Sequence, residues 1–537
     1  MTTLSDLYRH SVDTYGRLRV NWTYGTDRGY SYESFGKRCE ELSRFLSSRG
    51  VGAGDRVAIY STGNPNWSLA FFAAVAFGRV AVPILPDFSG NEAEHVLDHS
   101  GSKVLFASEK QLSKLSDEAL SRVQLVYSIE DLSLVRDNSK DVQPVQTCWP
   151  AENDTATIIY TSGTTGAAKG VELTHRNFMA NIEAAYDLYP IGVHDVLLSV
   201  LPLAHTYELS LGMLYPFSAG SSVCYIDRAP TPSLLMKVMK DVRPSAMLAV
   251  PLIIEKVYKG TILPMIKKSP LLTWMDKHMN LLLCRLIGRR MISTFGGRMR
   301  FFGIGGAKLD VDVERFLHRA RFPYYIGYGL TECAPLLAVS CYRTTIPGQI
   351  GREVKGVRLR LEDINPETGE GELVAKGENI FPGYYRDPER TAKAFTQDGW
   401  FRTGDIASVD AQGRYAIKGR IGNMIVGASG ENIYPEEIEK VVKEIPNIED
   451  VIIVSRGKFL VCLVKAADSL FDMSSATSDE QTRKAIDKFK GSVMEYVNGR
   501  VNVASHIASV ELMTEPFEKT ATLKIRRFLY ANDAPTV

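Results

Sequence analysis

Hydrophobic and polar positions recur along most of this chain with two alternating periods, one typical of strands and one typical of helices. Short β-rich runs at residues 56–60, 80–84 and 157–160 are separated by stretches such as 67–77, which have a helical pattern. Strands that alternate with helices are typical of parallel sheets covered by helices. The pattern therefore predicts an α/β fold for the larger part of the chain. Further strands are predicted at residues 104–106, 222–226, 299–302 and 323–326.

The pattern changes near residue 345, after which short strands and turns dominate. A smaller unit follows, in which Pro435 opens a predicted helix with Glu436 and Glu437 in its first turn, where the helix dipole favours acids. The helical spacing continues to Ile445, and strand-like runs follow at 451–454 and 460–464. We predict a large N-terminal domain of parallel and mixed sheets over residues 1–421, with a β-rich subdomain at about 345–421. A small α+β domain is predicted over residues 422–537.

Composition and charge narrow the function classes. The 537 residues are 45% hydrophobic and 23% charged, which is ordinary for a globular protein, and the formal net charge of +1 gives no argument for a nucleic-acid partner. The cysteines are scattered, without a CxxC pair or a Cys/His cluster, which argues against zinc and fits a reducing cytosol. Their positions are Cys39, Cys148, Cys224, Cys284, Cys333, Cys341 and Cys462.

The apolar segments of the chain predict neither a secretory signal nor a transmembrane helix. The N-terminus has no basic region followed by an apolar stretch, so it does not resemble a secretory signal. The most apolar segment, 69–85, is interrupted by Gly78, Arg79 and Pro83, which makes it a poor transmembrane helix. We therefore expect a cytoplasmic protein.

The sharpest local signal is Thr161-Ser-Gly-Thr-Thr-Gly-Ala-Ala-Lys-Gly170. Its glycines allow the backbone to turn close to a ligand, its hydroxyl groups are donors, and Lys169 adds a cation, a combination that suits a polyphosphate. The residue order is not that of a Walker A motif, because Lys169 is followed by Gly170. We expect this loop to lie between the strand at 157–160 and a helix at 175–188. The alternative is a solvated Gly/Ser/Thr linker.

Two further clusters contain acids next to glycines. Gly327-Tyr-Gly-Leu-Thr-Glu332 provides a carboxylate that could bind Mg²⁺, which prefers oxygen ligands, and Tyr328 could stack on a base. Gly399-Trp-Phe-Arg-Thr-Gly-Asp405 places Asp405 after a tight turn, where it could accept hydrogen bonds from ribose hydroxyls. The alternatives are a glycine-rich turn with a surface Glu332 and a commonplace turn at Asp405.

Together these clusters resemble the adenylate-forming superfamily of acyl-CoA synthetases, adenylation domains and luciferases. Further segments match its motifs in the same order: Leu201-Pro-Leu-Ala-His205, Gly305-Gly-Ala307, Gly419-Arg420, Gly430-Glu-Asn-Ile-Tyr-Pro-Glu-Glu-Ile-Glu439 and Thr522-Leu-Lys524. The resemblance spans nearly the whole chain. It implies that ATP, Mg²⁺ and coenzyme A are used, that an acid is joined to AMP, and that the acyl group then passes to a thiol.

The resemblance also implies a role for each matching residue. The phosphates of ATP would lie against Thr161, Ser162, Gly163, Thr164, Thr165, Gly166 and Lys169. Thr331 would contact the α-phosphate and Glu332 would bind Mg²⁺. The adenine would lie against Gly305, Gly306, Ala307, Tyr328 and Gly329. Asp405 and Arg420 would hold the ribose, His205 would lie near the acyl group, and Lys524 would reach the carboxylate and the α-phosphate.

Elementary electrostatics supports a cation in the role implied for Lys524. A carboxylate that attacks a phosphate brings two anions together, and one fixed cation at ~4 Å returns roughly 4 kcal/mol at an effective dielectric near 20. In the superfamily the small domain then rotates so that Gly430 borders the pantetheine channel. The hinge is usually Asp or Lys, whereas this chain has Gly422, which can change φ and ψ without steric cost. The alternative for residues 519–527 is a solvated basic strand.

The carboxylic acid substrate is predicted from the branch of the adenylate-forming superfamily that the motifs resemble. Residues 201–208, 295–302 and Leu523 are similar to long-chain fatty acyl-CoA synthetases, so a long-chain fatty acid is expected. Relatives that activate amino acids place an Asp near His205, and residues 199–210 contain none, although Glu208 is present. Three alternatives stay open: a fatty acyl-AMP ligase, an acyl carrier protein synthetase, and a binding protein without catalysis. A homodimer also stays open.

Residues 263–291 are both apolar and basic. Basic side chains and Trp274 interrupt a stretch rich in Leu and Met. One hypothesis is an interfacial helix at the inner face of a membrane, from which fatty acid would be taken. The other is an ordinary amphipathic helix packed on the large domain. The basic residues are Lys267, Lys268, Lys277, Arg285, Arg289 and Arg290.

Overall fold

A computed structural model describes residues 1–139, 142–161, 169–227, 231–426, 432–457, 459–467, 479–519 and 525–530. It confirms the α/β prediction, with two large sheets, helices against them, a β-rich part and a smaller C-terminal unit. The longer helices are Leu4–Tyr15, Tyr32–Ser48, Pro65–Val75, Gly90–Ser100, His175–Leu188, Pro232–Val242, Pro251–Val257, Pro270–His278, Asn280–Thr294, Val311–Ala320, Pro435–Val442 and Asp479–Asn498. The shorter ones are Glu109–Leu112, Asp117–Arg122, Tyr215–Ser218, Leu263–Lys268 and Pro388–Lys393.

The first sheet has eight strands, most of them parallel. Its central strands are buried because helices cover both faces, which explains why they are continuous apolar runs in the sequence. In spatial order the strands are Gly383–Tyr384, Lys169–Thr174, Thr155–Thr161, Val80–Ile84, Arg56–Tyr60, Val104–Ala107, Leu125–Ser128 and Leu134–Asp137.

The second sheet has nine strands, and its central five pairings are parallel. Helix Pro65–Val75 is buried along its whole length, and its side chains belong to a core cluster that draws on both large sheets. In spatial order the strands are Arg352–Glu353, Leu336–Cys341, Tyr324–Gly329, Phe301–Ile304, Ala246–Ala249, Val196–Ser199, Ser222–Tyr225, Arg19–Thr23 and Gly29–Ser31.

The β-rich part and the C-terminal unit each have a sheet of their own. Four antiparallel strands, Val357–Glu362, Gly371–Gly377, Phe401–Val409 and Tyr415–Arg420, form the β-rich sheet. In the C-terminal unit, helices Pro435–Val442 and Asp479–Asn498 pack on a three-stranded sheet around an apolar cluster of their own. Its strands are Ile448–Arg456, Phe459–Ala466 and Ile507–Leu512, and a short pair joins Ile425–Val426 to Asn432–Ile433.

Some predicted boundaries differ from those observed. The strand expected from Met299 begins at Phe301, and the helix expected to reach Ile445 ends at Val442. The helix predicted at 175–188 is confirmed, and a strand that was not predicted, Lys169–Thr174, precedes it with Val171 and Leu173 buried. Helix His175–Leu188 starts only after that strand, where the Thr174 hydroxyl accepts a hydrogen bond from the Asn177 N–H. Within the described ranges, no helix is both long and apolar enough to cross a bilayer.

The basic and apolar segment is three short helices rather than one. Leu263–Lys268, Pro270–His278 and Asn280–Thr294 follow one another, separated at Ser269 and Met279. Ile266, Leu283 and Ile287 pack into the core, which agrees with the amphipathic-helix interpretation for those positions. Other apolar side chains of the segment are exposed, including Leu271, Trp274, Leu281, Leu282 and Leu286.

Candidate active site

The two ends of the glycine-rich loop are held by antiparallel strand pairing. Thr161, the last residue of one strand, is the register partner of Lys169, the first residue of the next. Strands Thr155–Thr161 and Lys169–Thr174 therefore pair as a hairpin in the first large sheet, next to its short edge strand Gly383–Tyr384. The Thr161 hydroxyl oxygen is buried and has no hydrogen-bond partner among the described residues, so it is a donor available to a ligand at this point. Ser162, Gly163, Thr164, Thr165 and Gly166 lie outside the described residues.

A partly buried ion pair joins Lys169, at the end of the glycine-rich segment, to the second cluster of the sequence. The Lys169 ammonium lies 2.7 Å from Glu332 Oε1, and it also donates to the Tyr384 hydroxyl at 2.9 Å. The Tyr384 hydroxyl donates in turn to Glu332 Oε1 at 2.9 Å, which closes a three-membered network. Lys169 and Glu332 are 163 residues apart in the chain, and they meet because the two large sheets pack together.

Glu332 is an anion despite its burial. Its side chain belongs to a short 3₁₀ turn, Thr331–Cys333, and the residue is only 6% exposed. Burial alone would raise the pKa of its carboxyl, but the Lys169 ammonium and the hydrogen bonds from Lys169 and Tyr384 outweigh burial and lower it. A buried carboxylate held ionised by one cation can accept a second cation when an anionic ligand takes up the first. Thr331, next to it, is half-buried.

A second network joins Tyr328, Asp405 and Arg420. The Tyr328 hydroxyl donates to Asp405 Oδ2 at 2.7 Å, and Arg420 Nε lies 2.9 Å from Asp405 Oδ1. Asp405 and Arg420 are cross-strand partners in the β-rich sheet, so strand pairing fixes their contact. The structure thus brings together residues from the second and third sequence clusters.

Glycine is required where these motifs meet. A Cβ atom at Gly329 would lie 1.7 Å from the carbonyl oxygen of Pro335. Only glycine therefore fits at position 329 with this backbone. Gly305 directly follows the strand Phe301–Ile304, and a Cβ atom there would lie 3.2 Å from the ring of Tyr207. The next residue, Gly306, has a φ of +82°, which favours glycine, and both it and Ala307 are exposed.

His205 lies two residues before Tyr207, which lines an apolar cavity. Its Nδ1 accepts a hydrogen bond from the backbone N–H of Tyr207 at 3.3 Å. The helix that follows includes a π-helical stretch, Glu208–Leu214, and its residues Tyr207, Leu211 and Tyr215 line the cavity from one side. The cavity has a volume of ≈ 50 Å³ and borders Gly303 and Gly327, close in the chain to the motif residues Gly305 and Tyr328.

Lys524 and Gly430 lie outside the described residues, so their predicted roles stay predictions. Nearby described residues do join the C-terminal unit to the large domain. Arg526 Nη2 lies 3.3 Å from Glu92, and the Tyr434 hydroxyl donates to Glu370 at 3.1 Å. Gly422 is exposed within the 3₁₀ turn Ile421–Asn423, and a Cβ there would meet nothing within 4 Å.

Sequence reasoning missed Tyr384 and Tyr207. Tyr384 belongs to a two-residue strand that pairs with the loop hairpin, so its contact with Lys169 depends on sheet order. Tyr207 lies two residues after His205, but nothing in its spacing distinguishes a cavity wall from the core. Its position beside the motif ending at His205 is the signal that could have drawn attention to Tyr207, whereas Tyr384 adjoins none of the motifs named above.

The donor set fits magnesium better than a metal with nitrogen or sulfur ligands. Among the described residues, no group of three or more His, Cys, Asp or Glu side chains is placed to hold a metal ion. Mg²⁺ usually takes one or two carboxylates and completes its shell with substrate phosphates and water. Glu332 offers one ionised carboxylate beside the phosphate-loop hairpin, so Glu332 fits as the residue that would hold Mg²⁺.

A buried acid next to the cavity has a raised pKa. Glu208 is 1% exposed, its Oε2 has no hydrogen-bond partner among the described residues, and Gly212 leaves the space that its carboxyl occupies. Burial raises the pKa of Glu208 to about 8, against a hydrogen bond with Ser199 that lowers it. The folded protein therefore keeps this carboxyl protonated at pH values where an exposed glutamate has ionised.

We expect the stability of the protein to fall as the pH rises from about 4.5 to about 8 because of Glu208. In this window the unfolded chain has released the proton and the folded chain has retained it, so rising pH favours unfolding. Glu208→Gln removes this dependence. The thermal midpoint of the variant minus that of wild type should increase with pH up to about pH 8 and stay constant above it. Differential scanning calorimetry measures the difference. Glu367→Gln, at an exposed site, is the control, and an equal gain there would contradict the assignment.

Comparisons with known proteins were made on sequence and on structure. The AMP-binding enzyme family matches residues 9–385, and the AMP-binding enzyme C-terminal domain matches residues 422–531. The chain is 29% identical to the long-chain-fatty-acid–CoA ligase FadD15 of Mycobacterium bovis, over 90% of this chain and 88% of that protein. It is 33% identical to the long-chain-fatty-acid–CoA ligase 4 of Saccharomyces cerevisiae, over 64% of this chain and 53% of that protein.

Solved structures share the fold. ATP-bound MatB from Rhodopseudomonas palustris superimposes with a TM-score of 0.77 at 23% identity, covering 98% of both chains. The o-succinylbenzoate CoA synthetase MenE from Bacillus subtilis, in complex with an acyl-adenylate intermediate, gives a TM-score of 0.78 at 19% identity, again covering 98% of both chains. At identities this low, the structural likeness establishes the fold of the chain and nothing about its substrate.

Proposed function

This chain belongs to the AMP-binding enzyme family, and from that premise we propose that it is an ATP-dependent fatty acid–CoA ligase. The first step joins the carboxylate to AMP and releases pyrophosphate. In the second step a thiol attacks the acyl carbon, and AMP leaves. The observation that carries the proposal is the partly buried ion pair of Lys169 with Glu332, which joins the first and second sequence clusters.

The described residues supply most of what the first step needs. The hydroxyl of Thr161 and the ammonium of Lys169 would bind phosphate oxygens, and Lys169 would then exchange its Glu332 partner for the nucleotide. Glu332 would hold Mg²⁺, which neutralises charge on the phosphates when bound. Asp405 and Arg420 would bind the ribose, beside Tyr328. Donors that are fixed before the reaction lower the barrier because they need not reorganise.

The cavity supports an aliphatic acid as the substrate. Its lining is almost wholly apolar, and it begins where Gly303 and Gly327 adjoin the nucleotide motifs. Ligand sites are lined mostly by apolar and aromatic side chains, as this cavity is. Relatives from Mycobacterium bovis and Saccharomyces cerevisiae that are named long-chain-fatty-acid–CoA ligases support a fatty acid of that class.

The thiol acceptor is the main alternative within this proposal. Pyrophosphate release from palmitate and ATP should occur with the purified protein, and acyl transfer should require CoA. Transfer to a holo-acyl carrier protein but not to CoA would instead identify an acyl carrier protein synthetase. Release of pyrophosphate with transfer to neither would identify a fatty acyl-AMP ligase. Binding of ATP and fatty acid without pyrophosphate release would support a non-catalytic binding protein.

We place the domain boundary at residues 421 and 422, with residues 422–537 as a mobile lid that carries Lys524. Gly422 is exposed and sterically free, which suits a hinge. Lys524 would enter the site in the first step and leave it when CoA arrives along Gly430. The contact of Arg526 with Glu92 is one that such a rotation would break.

We also propose cytoplasmic placement with peripheral contact to the inner face of a membrane. Leu271, Trp274, Leu281, Leu282 and Leu286 are exposed on the three short helices, with basic side chains exposed among them. Exposed apolar side chains mixed with Lys and Arg are typical of surfaces that bind anionic lipid.

Charge reversal on these helices is expected to abolish flotation with anionic vesicles. An Arg285, Arg289 and Arg290→Glu variant removes the attraction to phosphatidylglycerol and replaces it with repulsion, so vesicle-bound protein should fall at least tenfold. Flotation with phosphatidylcholine vesicles, with and without phosphatidylglycerol, measures this. An Arg17, Arg28 and Lys37→Glu variant makes the same charge change at exposed sites elsewhere and should bind like wild type. Equal binding by both variants would exclude the proposed surface.

A further inference from the structure

The turn that carries Glu332 is held by hydrogen bonds from other parts of the fold. The turn, Thr331–Cys333, is followed by Ala334, whose φ of +57° lies in the left-handed region that residues with a Cβ rarely adopt. Such a conformation persists only where the surrounding contacts fix it. One contact is on Glu332 itself, whose carbonyl oxygen accepts a hydrogen bond from the Phe381 backbone N–H at 2.9 Å. The carbonyl oxygens that follow are bound by buried side chains.

Two buried asparagines bind the carbonyl oxygen of Cys333. Asn181 Nδ2 donates to it at 2.9 Å, and Asn379 Nδ2 donates to it at 3.1 Å. Asn181 Oδ1 also accepts a hydrogen bond from the Leu336 N–H at 2.9 Å, and Asn379 Nδ2 also donates to the Leu336 carbonyl oxygen at 2.8 Å. The two asparagines are 1% and 2% exposed. Their amides therefore fix the backbone on the C-terminal side of Glu332.

Ser210 makes a third side-chain contact with the same stretch of backbone. Its hydroxyl donates to the Ala334 carbonyl oxygen at 2.8 Å, and the residue is fully buried in the π-helical stretch Glu208–Leu214. The carbonyl oxygens of residues 332, 333, 334 and 336 are thus each bound by a donor from outside the turn. A shift of this backbone would leave buried donors without acceptors, which is costly.

Asn181 connects the Glu332 turn to the segment that carries Lys169. Helix His175–Leu188, which contains Asn181, directly follows the strand Lys169–Thr174. The Lys169 ammonium, at the start of that strand, lies 2.7 Å from Glu332 Oε1. One continuous strand and helix therefore contact the turn twice, at the carboxylate and at the backbone behind it. The two contacts together set the separation between the cation and the carboxylate.

We propose that Asn181, Asn379 and Ser210 are positioning residues for adenylate formation, which hold the carboxylate of Glu332 where a nucleotide and Mg²⁺ need it. The inference rests on the proposed function, in which Lys169 exchanges its Glu332 partner for the nucleotide. At that moment the carboxylate loses its ion-pair partner, and the contacts on its backbone keep it in place. Groups that bind a metal ion or substrate must be held within about 0.5 Å of their productive position.

The kinetic test uses Asn181→Leu and Asn379→Leu, which fill the space of each amide without its hydrogen bonds. The free Mg²⁺ concentration for half-maximal pyrophosphate release from palmitate and ATP should rise at least tenfold, the loss typical when a group behind a metal ligand is removed. The KM for palmitate should stay within twofold. Thioester formation from synthetic palmitoyl-AMP and CoA should stay within threefold, because Glu332 is assigned to the first step.

Hydrogen exchange gives a readout that needs neither metal nor substrate. In protein kept in EDTA, the backbone amides of residues 331–336 should exchange at least tenfold faster in both leucine variants than in wild type, because the turn loses its fixed contacts. Ser210→Ala removes a single atom and decides the question if the leucine variants do not fold. It should raise the half-saturating Mg²⁺ concentration at least threefold and speed exchange in the same peptide.

Asn21→Leu is the matched control. Asn21 is also 2% exposed, and its Nδ2 donates to the Ser68 hydroxyl at 2.9 Å, on a strand toward the other end of the second sheet. This variant should lose thermal stability as the others do, yet keep the wild-type Mg²⁺ dependence and the wild-type exchange of residues 331–336. The same changes in Asn21→Leu as in the asparagine variants of the turn would overturn the inference.

The remaining outcomes separate this inference from the proposed function. Wild-type Mg²⁺ dependence and wild-type exchange in Ser210→Ala and in every leucine variant that folds would overturn the positioning role and leave the function intact. Equal losses in both half-reactions would also overturn it. If the wild type releases no pyrophosphate with any acid, the proposed function fails. Calorimetric binding of ATP over a Mg²⁺ titration, in wild type and Ser210→Ala, then tests the positioning role alone, and equal Mg²⁺ dependence would overturn it.

Discussion

Replacement of Glu332 by Gln is expected to slow acyl-adenylate formation by about 10²-fold or more. The variant keeps the size of the side chain and its capacity to accept a hydrogen bond from Lys169, but it loses the negative charge. A bound metal ion supplies several kcal/mol of charge stabilisation in the transition state, and each ~1.4 kcal/mol is a factor of ten in rate. Pyrophosphate release over a Mg²⁺ titration measures the loss, and the Mg²⁺ requirement should move to higher concentration.

Tyr384→Phe is the matched control for this experiment. It removes one hydrogen bond to the same oxygen, Glu332 Oε1, and leaves the carboxylate charge and the Lys169 contact in place. We expect a loss of about tenfold, because a hydrogen bond to a charged group is worth about 1.5 kcal/mol at the lower end of its range. A Glu332→Gln loss no greater than that of Tyr384→Phe, with the same Mg²⁺ dependence, would remove Glu332 as the metal ligand.

Lys524→Ala is expected to separate the two half-reactions. Acyl-adenylate formation should fall by about 10²- to 10³-fold, because one cation near two reacting anions contributes roughly 4 kcal/mol at ~4 Å. Thioester formation from synthetic acyl-AMP and CoA should change less than about threefold, because the lysine is withdrawn in that step. Rapid-quench assays of each half-reaction give the two rates.

The control for Lys524 comes from the same segment. Lys519 lies 2.7 Å from Asp450, within the C-terminal unit, so Lys519→Ala removes an equal charge without touching the proposed site. Its two half-reactions should both stay close to wild type. Unchanged pyrophosphate release in Lys524→Ala, or an equal loss in Lys519→Ala, would overturn the role proposed for Lys524.

Much of the fold could be predicted because its signals are local. Buried parallel strands such as Val80–Ile84 are continuous apolar runs, and the capping threonine before His175 marks the start of a helix. The helix at 175–188 is confirmed, but the strand before it was not predicted. Residues 169–174 alternate in polarity over a short run, and pairing with Thr155–Thr161 makes them a strand. The pairing is a tertiary choice that the run itself does not contain.

The sequence by itself determined the family, the order of the motifs and the residue types that nucleotide chemistry needs. It could do so because the glycine, hydroxyl, lysine and carboxylate residues occur in short contiguous motifs. Only the tertiary structure decided which of them touch. The contacts of Lys169 with Glu332 and Tyr384, and of Tyr328 with Asp405, join residues far apart in the chain. The cavity and the burial of Glu208 likewise arise from how sheets and helices pack, and packing depends on all the elements at once.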